Sequence, residues 1–474
     1  MGSENIKIHE QCRVSPPSGS ARETSLSLTF LDVLWLRFHP VERMFLYTLP
    51  RPESEPSIFF SNVIPKLKRS LSDALQHFPP LAGKVVWPKE SPNPIVQYTP
   101  GDAVSVLLAE SHAPFNLVLD NSPHQASLSR SFVPPLSSSD SHASVLSLQI
   151  TLFPNSGFSI GITTHHAILD GKSSSLFVKA WSFLCKSSLH QLSPSLPPNL
   201  LPFFDRSLIK PPTELVLNFT NSFTHILTPS ENPHGRCLKL LPFPPRLEDQ
   251  LRATFLLTRQ DLDKLRKRVL SKWDVQNGSE STVSSIPPTV SSFVLTCAYV
   301  LVCIAKAFEG FEGGKHKFAF GFSMDCRARL NPPIPDNYFG NCVWGGLIDC
   351  KPLDFIKEEG FVVVAKSIHG NIKEKLAKGI FHGAEGAYSR FESLAKERIE
   401  TVGTAGSNRF GVYENDFGWG KPAKVEIMSV DRALTIGLAE SKDGNGGIEV
   451  GLVLHKHVMD LFVTLFHQGL SQHH

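Results

Sequence analysis

The stretch TTHHAILDGKSSS, residues 163–175, gathers side chains that can move protons. Histidine is the side chain best suited to taking a proton near neutral pH. His165 and His166 are adjacent. A strand sends successive side chains to opposite faces, so only one of the two can face a reaction. Asp170 follows His166 by four residues and precedes Gly171. Three roles are open to it. It can orient His166 as the acid of a triad orients its base, cap the following helix, or pair elsewhere and hold the turn. Asp-Gly is itself a turn signal. The plain alternative for the histidines is a surface loop or a satisfied core pair. No third ligand stands at a recognisable spacing and there is no HExxH, so no metal is expected.

A second constellation is YENDFGWGKPAKVEI, residues 413–427. Its DFG triplet resembles that of protein kinases, but a kinase also needs an HRD catalytic loop, and no HRD triplet occurs. GFEGGKH at 310–316 fails as a phosphate loop: the spacing is wrong, and His316 stands where Ser or Thr must bind magnesium. Gly418 and Gly420 flank Trp419, a pattern suited to a sharp turn and close backbone approach. A structural turn is the plain reading.

These residues need elements to position them. In residues 145–153, Leu146, Leu148, Ile150 and Leu152 alternate; PNSG turns the chain, and residues 158–164 alternate again. This predicts a β-hairpin whose second strand ends at the histidines. Leu176, Phe177, Ala180, Trp181 and Leu184 then have helical spacing, so the histidines lie in a strand-to-helix connection. Residues 66–78 predict another helix, with Leu67, Leu71, Leu75 and Phe78 on one face before Pro79-Pro80. Residues 187–212 are rich in Pro and Ser and read as a crossover between domains. Beyond it come a strand at 252–258, a helix over 259–270, a polar loop at 271–288 and an apolar helix over 291–307. A hairpin and a terminal helix close the chain.

At 474 residues, two domains are expected rather than one core. A net charge of +3, with Lys and Arg spread along the chain, gives no argument for a nucleic-acid partner. The longest apolar run, Phe293 to Ala305, is too short to span a bilayer. No secretory signal is visible at the start, and Ile6 stands where a myristoylation signal wants Ser or Thr. The eight cysteines form no CxxC pair, which fits reduced thiols in the cytoplasm.

HxxxDG near the middle and DFGWG some 250 residues later resemble the plant BAHD acyltransferases. LTFLD at 28–32, LSDALQHFPPLAGKV at 71–85, FDRSLI at 204–209, SSFVLTCAYVLVC at 291–303 and NYFGNC at 337–342 extend the resemblance along the chain. YFGNC is similar to the subgroup that acylates anthocyanins and other phenolic glycosides, and the stretch from Thr164 to Lys186 looks most like its malonyltransferases.

The resemblance implies an α/β fold of two chloramphenicol-acetyltransferase-like domains with a channel between them. Residues 1–190 would carry HxxxDG, 191–235 would link, and 236–474 would carry YFGNC and DFGWG. It implies His166 as general base and an acyl-CoA, malonyl-CoA foremost, as co-substrate with no bound cofactor. The acceptor would be a phenolic glycoside, and the protein a monomer with no membrane partner. Asp416 is named catalytic by the same analogy. Asp170 would be structural, paired with Arg327, with Gly171 and Trp419 also shaping the fold. Ser291, Ser292 and Lys264 would contact CoA, helped by Lys267 and Arg268. A helix start is a natural anion site. The oxyanion donor is open: Ser407 and Asn408 are candidates. Alternatives remain: a hydroxycinnamoyl-CoA donor, an amine or alcohol acceptor, or a non-catalytic ligand-binding relative.

Overall fold

The computed structural model describes residues 6–188, 195–211, 236–240, 248–273, 289–312, 317–350 and 359–471. Most of the linker and of the polar loop expected at 271–288 lies outside these residues.

The expected hairpin forms the middle of a six-stranded sheet. Strands Leu146–Phe153 and Gly157–Thr164 pair antiparallel, with Ile160 opposite Ile150. The sheet order is Ile6–Val14, Val104–Ser111, Leu146–Phe153, Gly157–Thr164, Val41–Thr48, Lys424–Ile427. The alternation predicts one apolar face, yet both strands are buried along their whole length. The polar face is covered by the chain at 131–134. Gln149 Nε2 donates to the Ser131 carbonyl at 2.9 Å and Thr163 Oγ1 to that of Pro134 at 2.6 Å. The other face takes the helices Ile64–Leu75 and Gly171–Ser188. Leu67, Leu71 and Leu75 are buried there, and Trp181 Nε1 donates to Ser70 Oγ at 3.1 Å across the helix pair.

The second half builds a seven-stranded sheet: Val343–Cys350, Phe318–Asp325, Glu400–Ser407, Thr435–Glu440, Ile448–His455, Gln250–Leu257, His124–Gln125. Helices Ser292–Glu312, Gly360–Lys378 and Lys456–Ser471 cover it around a core of their own. The first of these runs past Lys306, where the apolar run breaks. Lys306 is only part-buried, and a lysine at the helix surface does not end a helix. A small sheet of Thr24–Ser27, Ile95–Tyr98, Lys84–Val86 and His142–Ser144 completes the first half.

The halves exchange strands. Lys424–Ile427 pairs with Val41–Thr48 of the first sheet, and His124–Gln125 with Gln250–Leu257 of the second. Arg130 pairs with Asp431 at 2.5 Å, and Arg252 donates to the carbonyls of Ile427 and Met428. The site residues of both halves are therefore held in one frame. No helix among the described residues is long and apolar enough to cross a membrane.

Candidate active site

Strand Gly157–Thr164 ends just before the two histidines, which have different surroundings. His165 is fully buried; its Nδ1 accepts the Ala167 amide at 3.2 Å. His166 is half-buried. Its ring lies flat on Trp35, with centroids 4.0 Å apart and planes 5° from parallel, and Phe38 meets it edge-on. Nδ1 is sealed from solvent with no partner in hydrogen-bonding geometry, whereas Nε2 is not sealed. Burial pushes His166 down to about 4, and neighbouring His39 acts in the same direction. The ring is therefore neutral at pH 7, the form a general base needs.

Asp170 does two of the three jobs open to it. Its carboxylate meets Arg327 through two contacts, Nη1 to Oδ2 at 2.9 Å and Nη2 to Oδ1 at 3.2 Å. It also accepts the Ser173 amide at 2.9 Å, capping helix Gly171–Ser188, and the Cys342 amide at 3.0 Å. None of its hydrogen bonds goes to His166. Arg327 is 1% exposed, and Asp325 is its second carboxylate partner. Gly171 lets Phe410 pack close: a Cβ there would stand 2.7 Å from the Phe410 ring, which would have to shift.

Asp416 sits elsewhere. It accepts the amides of Gly418 at 2.7 Å and Gly420 at 3.0 Å and pairs with Lys186 at 2.7 Å. Lys186 is in the last turn of the helix that Asp170 caps, about 22 Å along its axis from Gly171 at 1.5 Å per residue. Gly418 and Gly420 have φ of 106° and 101°, the region glycine tolerates best, so this is a tight carboxylate-held turn. It directs Phe417 onto Trp181 and Tyr47, and Trp419 onto Phe158 and Lys66.

The segment 406–410 packs beside the start of the same helix through Phe410. Ser407 Oγ accepts the Arg409 amide at 3.2 Å, which leaves its O–H free to donate. Ser291 accepts the Val294 amide and so caps helix Ser292–Glu312. Arg266 reaches this helix start: its Nη2 is 3.5 Å from Ser292 Oγ. Lys264 and Lys267 are exposed, and Arg268 lies over Phe361. Among the described residues no cluster of His, Cys, Asp or Glu could hold a metal ion.

Residues that the spacing did not single out also converge here. Asp32 of LTFLD, Arg206 of FDRSLI and Asn341 of YFGNC meet in one buried network, and Asn341 Nδ2 donates to the His166 carbonyl at 2.9 Å. Trp35 stands three residues after LTFLD, and Arg43 lies in the strand Val41–Thr48 that follows. The motif stretches were visible in the sequence; their meeting at His166 was not.

Two interlocked α/β halves, with HxxxDG between strand and helix and DFGWG ahead of the exchanged strand, define an acyltransferase. The model of the Transferase family matches residues 4–468. Phenolic glucoside malonyltransferase 1 of Arabidopsis thaliana is 40% identical, covering 98% of both chains. The malonyl-CoA:anthocyanidin 5-O-glucoside-6''-O-malonyltransferase of the same plant is 39% identical, again with 98% of each covered. Among solved structures, vinorine synthase matches with a TM-score of 0.64 at 19% identity over 97% of this chain and 98% of that one. The chain belongs to the Transferase family, the plant BAHD acyltransferases.

Proposed function

We propose that this protein transfers a malonyl group from malonyl-CoA to a sugar hydroxyl of a phenolic or flavonoid glucoside, anthocyanins included. Donor and acceptor would be bound together, with His166 as base. His166 Nε2 takes the proton of the acceptor hydroxyl as its oxygen attacks the thioester carbonyl. The tetrahedral intermediate collapses, the C–S bond breaks, and the imidazolium returns its proton to the CoA thiolate. No covalent enzyme intermediate is needed. Joining two bound reactants supplies effective molarities of about 10⁵ M or more, and general-base help roughly 10²–10⁴ in rate. Ser407 and Asn408 are the candidate donors to the oxyanion, a contribution of roughly 10²–10³. Asp170, Gly171, Arg327 and Trp419 shape the site. Asp416 is assigned to its turn, and Ser291, Ser292 and Lys264 to the CoA side.

The observation that carries the donor is Arg43. Malonyl differs from hydroxycinnamoyl in its free carboxylate, which requires a cation. Arg43 is 4% exposed, and among the described residues its side chain makes one hydrogen bond, from Nη1 to Ser175 Oγ, 3.0 Å away in the first turns of the helix that Asp170 caps. No carboxylate among the described residues lies within ion-pair distance of it. Burial draws the guanidinium down to about 10, with the Glu440 charge opposing the shift. A buried guanidinium with no carboxylate in direct contact is costly, and an incoming carboxylate would relieve that cost. The relatives at 39–40% identity are malonyltransferases by name, which supports the same donor.

Arg43→Met tests this. A charge-assisted pair contributes roughly 1.5–3 kcal/mol. The malonyl-CoA to acetyl-CoA ratio of kcat/KM is therefore expected to fall about 10–100-fold, with acetyl-CoA turnover retained. An unchanged ratio would remove Arg43 from the donor site.

A further inference from the structure

We infer that Asn341 is a positioning residue for the base, fixing His166 through its main chain. This rests on the reading of His166 as base. The inference starts from how asymmetrically Asn341 is bonded. It is fully buried, and its side-chain NH₂ donates twice: to the His166 carbonyl at 2.9 Å and to Asp32 Oδ1 at 3.0 Å. Both partners are acceptors, so the amide orientation is not interchangeable. Its own Oδ1 is buried with no donor. A buried carbonyl without a partner is costly, and an apolar side chain of similar shape would avoid that cost. The donation to Asp32 serves a carboxylate that also accepts from Arg206, Thr29 and the Asn341 main-chain amide. The second donation, to the His166 carbonyl, is what an apolar residue could not supply.

The anchor behind Asn341 is firm. Asp32, also fully buried, accepts from the Asn341 main-chain amide at 3.0 Å. Its other oxygen takes Arg206 Nη1 at 2.8 Å and both the amide and hydroxyl of Thr29, at 2.8 and 2.7 Å. The Thr29–Asp32 box caps the short helix Phe30–Val33, and Trp35 follows directly. The same aspartate therefore anchors two grips on His166. One reaches its carbonyl through Asn341, the other its ring face through Trp35. Asp170 cannot serve this purpose, because its bonds go to Arg327, Ser173 and Cys342. Holding that carbonyl fixes the main chain from which the imidazole projects onto Trp35.

Asn341→Leu separates this role from a structural one. It removes both donations and also the unpartnered oxygen. Asp32 keeps Arg206, Thr29 and the main-chain amide of residue 341. The expected result is a melting temperature close to wild type, KM values unchanged for both substrates, and kcat lower by about tenfold or more. Asn341→Ala, which leaves space instead of bulk, is expected to split kcat from KM in the same way. Unchanged kcat in both variants would overturn the inference. A fall in kcat that tracks a loss of melting temperature, or a rise in KM alone, would also overturn it in favour of a structural or binding role. His166→Ala, measured in parallel, distinguishes the two levels. If that variant keeps turnover, the base reading itself fails; if it is dead while Asn341→Leu is fully active, only the positioning role does.

Discussion

His166→Ala is expected to lower kcat by roughly 10²–10⁴-fold, the range that general-base help supplies, with little change in melting temperature. The fold does not depend on the imidazole. The residue is half-buried, its ring makes no hydrogen bond to another of the described residues, and the Asn341 contact goes to its main-chain carbonyl, which alanine retains. Losing the stack on Trp35 costs about 0.5–1.5 kcal/mol beyond area. In the wild type the same ring sets the pH profile. The competent form is the neutral one, and burial holds the group at about 4 instead of the ordinary 6.5. Protonation, and with it loss of activity, therefore begins only as pH falls toward 4. The kcat/KM profile is expected to stay level through pH 6. An acid limb centred near the ordinary histidine value would mean a solvated base or a different one.

Asp170→Ala is expected to fail differently, by losing stability and soluble yield along with activity. It strips one carboxylate from an arginine that is 1% exposed, leaving only Asp325 to neutralise it. Removing one partner of a buried pair costs about 3–5 kcal/mol. Loss of the helix cap adds about 1 kcal/mol, and the Cys342 amide loses its acceptor. The melting temperature should drop by several degrees, as read by thermal denaturation. Asp170→Asn keeps one acceptor oxygen, for the Ser173 amide or the Cys342 amide but not both, and should recover only part of the loss. A variant that melts like wild type but has no turnover would give Asp170 a direct part in the chemistry.

Much of this was legible from local pattern. The hairpin before His166 and the helix after it follow from alternation at period two giving way to helical spacing, and both formed where expected. His165 is buried and His166 is only part-buried, although both lie just past the strand end at Thr164. What escaped is what depends on distant pairing. Burial of both hairpin faces needs the covering chain at 131–134, and no periodicity announces that. The exchange of Lys424–Ile427 into the first sheet crosses some 380 residues of sequence. Asp32, Arg206 and Asn341 lie in three stretches that only the fold joins, so their meeting behind His166 could not be read from spacing. Arg266, which charge and spacing did not single out, is turned by helical phase toward Ser292.

The central claim is acyl transfer from malonyl-CoA to a glucoside hydroxyl. The most direct test is CoA thiol release by the purified protein with cyanidin 3-glucoside, comparing malonyl-CoA with coumaroyl-CoA. Fast, acceptor-dependent release with malonyl-CoA, and little with coumaroyl-CoA, is the predicted result. Release with coumaroyl-CoA alone would contradict the donor and the part given to Arg43. Silence with both would contradict the proposed reaction.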